Sequence, residues 1–342
     1  MSNREPAGAD PAAIVWKPLV SAFTTPRTGH AIRQLADTVL PYLAVWVAIV
    51  FLAPISWWLC LPLCALNGAL LVRAFIIFHD CGHGSFFHSK WANTFWGIVT
   101  GVLTFTPYTQ WHSQHRTHHG SSGNLDRRGV GDFWTMTVRE YNAASVWKRA
   151  AYRIARNPIV LLFVAPLVMF CFEQRIAKPK ATRLEQFSVW YTNLMLGGII
   201  VGMGFAMGFL AFIVMQLVVL AIAGAIGIWL FYLQHQFDGV YWQRAGRWSY
   251  TDAALVGSSY LKLPRVLQWF TGNIGFHHIH HLHARIPNYN LQACHESHPM
   301  FLQVRVMTFW GAIKAFGLKL WDEAEERLVC FREAKRLRQA PA

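Results

Sequence analysis

The sequence predicts an all-α polytopic membrane protein, with four transmembrane helices in two hairpins and a cytosolic helical cap that holds a two-metal site. Three observations lead there. The 342 residues are 54% hydrophobic and 14% charged, with positive mean hydropathy, which is unusual for a soluble chain of this length. Two long stretches carry no charge. Three histidine clusters lie outside those stretches, in segments that topology places on one side of the membrane.

The opening MSNREPAGADPAA lacks a basic start followed by an apolar core, so it reads as a disordered cytosolic tail and not as a cleaved signal, with the mature chain beginning near Met1. Between Asp37 and Arg73 no residue is charged, and the apolar character runs on to Phe78. Such a length crosses a bilayer twice, with a tight turn near PISWW. From Ser188 to Gln234 there is again no charge, and the glycine-rich GMGFAMGF turns the chain to make the second hairpin. Lys and Arg crowd the N-terminal tail, the stretch QRIAKPKATR and the segment from Arg305 to Arg338, which places all of these in the cytoplasm together with both termini. Two further apolar stretches, 91–108 and 158–172, are read as interfacial or re-entrant, because a crossing by the second alone would put Arg175, Lys178, Lys180 and Arg183 outside. FWGAIKAFGLKLWDEAEERL mixes apolar and charged residues at helical spacing and reads as an amphipathic helix on the membrane face. The chain thus divides into a cytosolic tail (1–34), a membrane domain (35–300) and an amphipathic C-terminal cytosolic helix (301–342). Six cysteines without a CxxC pair are expected to be reduced packing residues.

His79 and His83 stand at i, i+4 where the second span ends, so their rings share one helix face. QHRTHHG adds His115, His118 and His119, and FHHIHHL adds His277, His280 and His281, both at i, i+3, i+4. A single HxxxH is often coincidence; two copies of HxxHH joined by one HxxxH on one membrane face are not. His30, His88, His112, His278, His283, His295 and His298 fall outside these templates and are read as surface, hydrogen-bonded or supporting groups.

A catalytic zinc takes three protein ligands and a structural zinc four, so eight imidazoles call for two metals. Imidazole suits iron, copper, nickel and zinc alike. A site with few carboxylates leaves two divalent ions largely uncompensated and favours oxygen-derived anions, which points to iron with dioxygen.

The order HDCGH, HRTHH, HHIHH resembles the three histidine boxes of the membrane-bound fatty acid desaturase and hydroxylase superfamily. GNLDRRGVGDFW, WLFYLQHQF, VGSSYLKLP and TGNIGFHHIHHLHARIPNYNL are similar to the acyl-lipid delta-12 (omega-6) and omega-3 branch, especially bacterial members, over roughly residues 40 to 300. The resemblance implies two non-haem irons, O2 as co-substrate, and electrons from ferredoxin or a cytochrome b5-like donor. It implies the eight box histidines as metal ligands and adds His235, in YLQHQF after the last span, as a ninth. Where the acyl-CoA delta-9 branch has an asparagine one turn before that histidine, this chain has Phe231, so that feature does not carry over. Asn273, one turn before His277, is a candidate for a similar supporting role or for a helix-stabilising amide. Asp80 is a candidate to accept an N–H from a ligand ring and set its tautomer, or else a solvated helix-end carboxylate.

The function these parts predict is oxygen-dependent insertion of a cis double bond into an acyl chain, with delta-12 the leading position. The chain would lie in an apolar tunnel walled by residues such as Trp111, Phe276, Phe105 and Trp229, although core or lipid-facing packing suits any one of these aromatics as well. The net charge of +14 suits anionic lipid headgroups and an acidic donor, with no nucleic-acid partner expected. No HPGG haem signature is present, so the donor is expected to be a separate protein. A hydroxylase, ketolase or epoxygenase acting on a lipid or carotenoid would use the same boxes. A histidine-rich metal transporter would need ionisable residues within the spans, which the two charge-free hairpins lack.

Overall fold

The computed structural model describes residues 13–339; residues 1–12 of the expected tail lie outside them. In chain order the helices are α1 (Ala13–Ser21), α2 (Thr28–Leu52), α3 (Trp57–His83), α4 (Lys90–Leu103), α5 (Tyr108–Ser121), α6 (Val138–Ala143), α7 (Val146–Ala155), α8 (Ala165–Cys171), α9 (Arg183–Met207) and α10 (Phe209–His235). They continue with α11 (Tyr250–Leu255), α12 (Arg265–Phe270), α13 (His277–Leu282), α14 (Asn288–Glu296), α15 (Pro299–Leu302), α16 (Phe309–Ala315) and α17 (Phe331–Gln339). Five strands of two or three residues complete the described elements: β1 (Met136–Thr137), β2 (Tyr260–Leu261), β3 (Val306–Met307), β4 (Leu320–Asp322) and β5 (Arg327–Val329).

Four helices, α2, α3, α9 and α10, are long and apolar enough to cross a membrane. The first hairpin turns at Ala53–Ser56 around Pro54, and the second turns at Gly208, whose φ of 89° suits a residue without Cβ. Length explains where the functional ends fall. A helix of 27 residues, as in α3 and α10, rises about 40 Å, whereas the hydrocarbon core is about 30 Å thick and takes up about 20 residues. Each helix thus has about two turns more than a crossing needs, and its last two turns carry His79 and His83 on α3 and His235 on α10.

The stretch 91–108 forms α4, whose 14 residues rise only about 21 Å and cannot span. It ends on the Tyr108 ring, which packs where a Cβ on Gly97 would stand, while the Tyr108 hydroxyl donates to the Cys81 carbonyl at 2.8 Å and ties α5 to α3. In 158–172 a π-helical turn at Val160–Val164 leads into α8, and together they bend by 66° from α7 across a break that contains Pro158, a residue with no N–H to continue a helix.

Two expectations about the ends of the chain need correction. Residues 13–34 do not form a free tail. Trp16 and Val20 of α1 are buried in the core around α10, α13 and α14, the Trp16 indole donates to Thr251 at 3.1 Å, and α2 already begins at Thr28. Nor is 301–342 one amphipathic helix. α16 stops before Gly317, and LKLW and RLVC then pair as the antiparallel hairpin β4–β5, turned through Glu326 at positive φ, with β1 alongside β4. Leu320, Trp321 and Asp322 of β4 and Leu328 and Val329 of β5 are all buried, so no alternation of buried and exposed positions marks these strands in the sequence. All six cysteines are free thiols.

Candidate metal centre

α3, α5, α10 and α13 bring their ends to one place, and nine imidazoles meet there in two adjoining groups. His79, His83, His115, His119 and His280 form one, and His118, His235, His277 and His281 the other; within each, one ring nitrogen per residue lies within 4.8 Å of all the rest. Helical geometry explains the division. Residues at i, i+4 are offset by about 40° around the axis, whereas sequence neighbours are about 100° apart. The i, i+4 pairs His79/His83, His115/His119 and His277/His281 accordingly each stay within one group. The neighbours His118 and His119, and likewise His280 and His281, face opposite groups. Each HH doublet is therefore a bridge between the two halves, and the His119 and His281 rings stack at 4.3 Å where the halves meet.

The nitrogens are arranged to bind cations. Asp80 Oδ1 lies 3.1 Å from His79 Nδ1, and Asp132 Oδ1 lies 2.7 Å from His118 Nδ1. A carboxylate accepts, so both rings carry their proton on Nδ1 and turn a bare Nε2 inward. His118 Nε2 then faces His235 Nε2 at 3.2 Å, and His235 Nε2 faces His277 Nε2 at 3.0 Å. In the other group the Nε2–Nε2 separations are 3.3 Å for His79–His83, 3.1 Å for His115–His119 and 2.9 Å for His119–His280. His235 Nε2 faces both His118 and His277, and His119 Nε2 faces both His115 and His280, so at each of these crossings a single nitrogen with at most one proton serves two neighbours. The buried Nε2 of His281 has no partner at all. Burial, reinforced by the neighbouring rings, holds His115, His119, His277, His280 and His281 well below the ordinary imidazole range, so they present lone pairs at neutral pH. A buried array of facing lone pairs is costly by itself and suits metal ions, so the residues fit the two-metal site expected of them.

Asp80 is itself held. Its Oδ2 accepts from the Asn288 backbone N–H at 2.6 Å and from Asn288 Nδ2 at 2.9 Å, and Gln34 Nε2 donates to Asn288 Oδ1 at 2.9 Å. Asp132 had no periodicity to mark it: it follows Gly131, at φ 70°, in the loop after α5, and only the closeness of that loop to His118 gives it a role. Phe231 packs edge-on against His118 and His235, each at 5.2 Å, and Trp111 stacks on His115 at 4.3 Å.

The count of one helical turn from Asn273 to His277 does not hold. Asn273 does not share a helix with His277 but sits at φ 59° before α13 begins, with Oδ1 accepting from Gln268 and Nδ2 donating to the Asn288 carbonyl. It reaches no imidazole of the two groups. Among the histidines outside the templates, His278 and His295 form a buried pair of their own at 3.0 Å. Of the aromatics considered as tunnel walls, Phe276 packs on Tyr260 and His295, Trp229 packs against the core, and Phe105 lies in the turn between α4 and α5 at φ 57°.

Replacing Asp132 with Ala should weaken metal retention about 10- to 100-fold, the usual effect of losing the carboxylate behind a ligand ring. Metal per chain after dialysis against a graded chelator checks it, and unchanged retention would show that His118 needs no such support.

The fatty acid desaturase family model matches residues 55–311. A fatty acid desaturase of Bacillus subtilis (strain 168) is 41% identical over 318 residues, covering 93% of this chain and 90% of that protein. An sn-1 oleoyl-lipid 12-desaturase of Picosynechococcus is 26% identical, covering 80% of each chain. An sn-1 acyl-lipid omega-3 desaturase (ferredoxin) of Synechocystis is 25% identical, covering 75% of this chain and 68% of that one. With a family match over most of its length and four helices able to cross a membrane behind the histidine groups, this chain belongs to the fatty acid desaturase family.

Proposed function

We propose that the protein converts an oleoyl chain of a membrane lipid to a diene at the delta-12 position, with O2 as co-substrate and two irons held by the nine histidines. The observation that carries this reading is the division of those histidines into adjoining groups of five and four. When bound, the irons supply the redox chemistry that couples reduction of O2 to removal of two hydrogens from neighbouring methylenes. The chain's own part is positional. Asp80 and Asp132 hold the protons of His79 and His118 on Nδ1 and keep both Nε2 atoms free. Phe231 closes one side of the second group against water, and Trp111 lies flat on His115, offering an apolar surface beside the first group. Electrons come from a separate donor of the ferredoxin or cytochrome b5 type, consistent with the ferredoxin in the Synechocystis relative's name. The histidine ends and both termini face the cytoplasm. The delta-12 position draws its support from the Picosynechococcus relative.

Lipid profiling by mass spectrometry of a host that makes oleate but no polyunsaturated lipids tests this. A new 9,12-diene is expected. Hydroxylated or oxidised acyl chains without a diene would move the protein to another chemistry of the same boxes, and conversion of saturated chains to delta-9 monoenes would move it to another branch.

A further inference from the structure

A cavity of about 720 Å3 opens beside the metal centre, between α2, α3, α12 and α14. Its charge is uneven. Arg33, Lys262 and Arg265 line it, are exposed, and have no ion-pair partner among the described residues. Of the two carboxylates in its wall, Asp37 pairs with the buried Arg73 at 3.2 Å, and Glu296 accepts from the neutral Gln292 at 2.8 Å and keeps its charge, which leaves four cations, Arg33, Arg73, Lys262 and Arg265, against two anions. Gln34, only 6% exposed, lines the cavity with an Oε1 that nothing satisfies. The cavity thus offers cations for an anion and a buried acceptor for a hydroxyl or ammonium donor.

Its position is equally specific. Val266 and Leu267 of α12 are 68% and 50% exposed, as is Ile32 of α2 at 57%. Trp269 lies over the Arg73 guanidinium at 3.9 Å. Apolar side chains facing outward next to Trp, Arg and Lys mark the depth at which a protein meets lipid headgroups, and unpaired Arg and Lys at that depth attract phosphate oxygens. One wall also reaches the metal centre. Asn288 lines the cavity and donates to Asp80, which in turn holds His79.

We propose that this cavity binds the phosphodiester headgroup of the glycerophospholipid whose acyl chain is desaturated, with Arg33, Lys262 and Arg265 on the phosphate and Gln34 Oε1 accepting from the polar group beyond it. This rests on the reading of the substrate as a membrane acyl lipid. The site would set which lipid class is used, without taking part in the chemistry.

The test uses the full-length protein in neutral detergent and its Arg33→Gln/Lys262→Gln/Arg265→Gln variant. Titration with oleoyl phosphatidylglycerol, read by native mass spectrometry, should show binding at least about tenfold weaker in the variant, with iron per chain unchanged. Neutral monoglucosyl dioleoylglycerol should bind both proteins equally. Each single variant, at an exposed side chain, should weaken phosphatidylglycerol by about two- to threefold, which provides a readout if the triple variant folds poorly. Equal phosphatidylglycerol binding by wild type and variants, or an equal loss for the neutral glycolipid, overturns the proposal. Displacement of the phospholipid by millimolar inorganic phosphate alone would make this a free-anion site and also overturn it. Turnover with a reduced donor separates the two levels. Wild-type protein that desaturates oleoyl-coenzyme A or an oleoyl carrier protein but no phospholipid defeats the substrate reading. Wild type that desaturates phosphatidylglycerol, with an unaltered KM in the triple variant, defeats the headgroup site alone.

Discussion

Purified His118→Ala/His119→Ala protein is expected to retain almost no iron and to form no double bond, while still inserting into membranes. The two residues are adjacent, yet His119 belongs to the group of His79, His83, His115 and His280, and His118 to the group of His235, His277 and His281. One double substitution therefore removes a ligand from each group. It also leaves Asp132, which is almost fully buried, without the ring N–H it now accepts, an added cost for a buried carboxylate. Both substitutions lie on α5, outside the four spanning helices, so insertion should be normal. Metal analysis together with membrane fractionation checks both halves. Retention of close to the wild-type iron content would mean that the two groups are not the metal sites.

His235→Ala should abolish desaturation, by at least about 100-fold, and bring iron towards about one per chain. His235 lies at the last residue of α10, with Nε2 3.2 Å from that of His118 and 3.0 Å from that of His277. It is the central nitrogen of the second group and contributes nothing to the first. A variant with full activity and about two irons would reduce that group to the three remaining histidines. His298→Ala makes a suitable control: its Nδ1 accepts from the Met300 N–H at the start of α15, away from both groups, and its loss should cost a helix cap and little else.

The histidine clusters were legible because helical spacing is a local property: i, i+4 pairs share a face wherever they occur. Which metal each histidine serves was not, since that depends on how α5 and α13 face each other across the centre, a contact between segments far apart in sequence. His235 carries no spacing signal, standing alone at the end of a span, and only the resemblance singled it out. Asp132 was invisible for a similar reason, because a loop carboxylate gains its role from the fold that returns it to His118. Asn273 was misplaced because counting one turn back from His277 assumes a helix, whereas the positive φ at residue 273 and the late start of α13 break the count. The two charge-free hairpins were plain from charge alone. The C-terminal segment was not, because leucines and charges in LKLWDEAEERL satisfy a helical template, whereas β4 and β5 owe their form to pairing with each other and with β1.

The claim that two adjoining imidazole groups hold two irons is tested most directly by metal analysis of wild-type full-length protein, purified from iron-replete cells without added metal. About two irons per chain and little zinc are expected, with the iron lost in parallel with desaturation as a chelator is raised. One zinc per chain, with no iron and activity untouched by iron chelators, would contradict it.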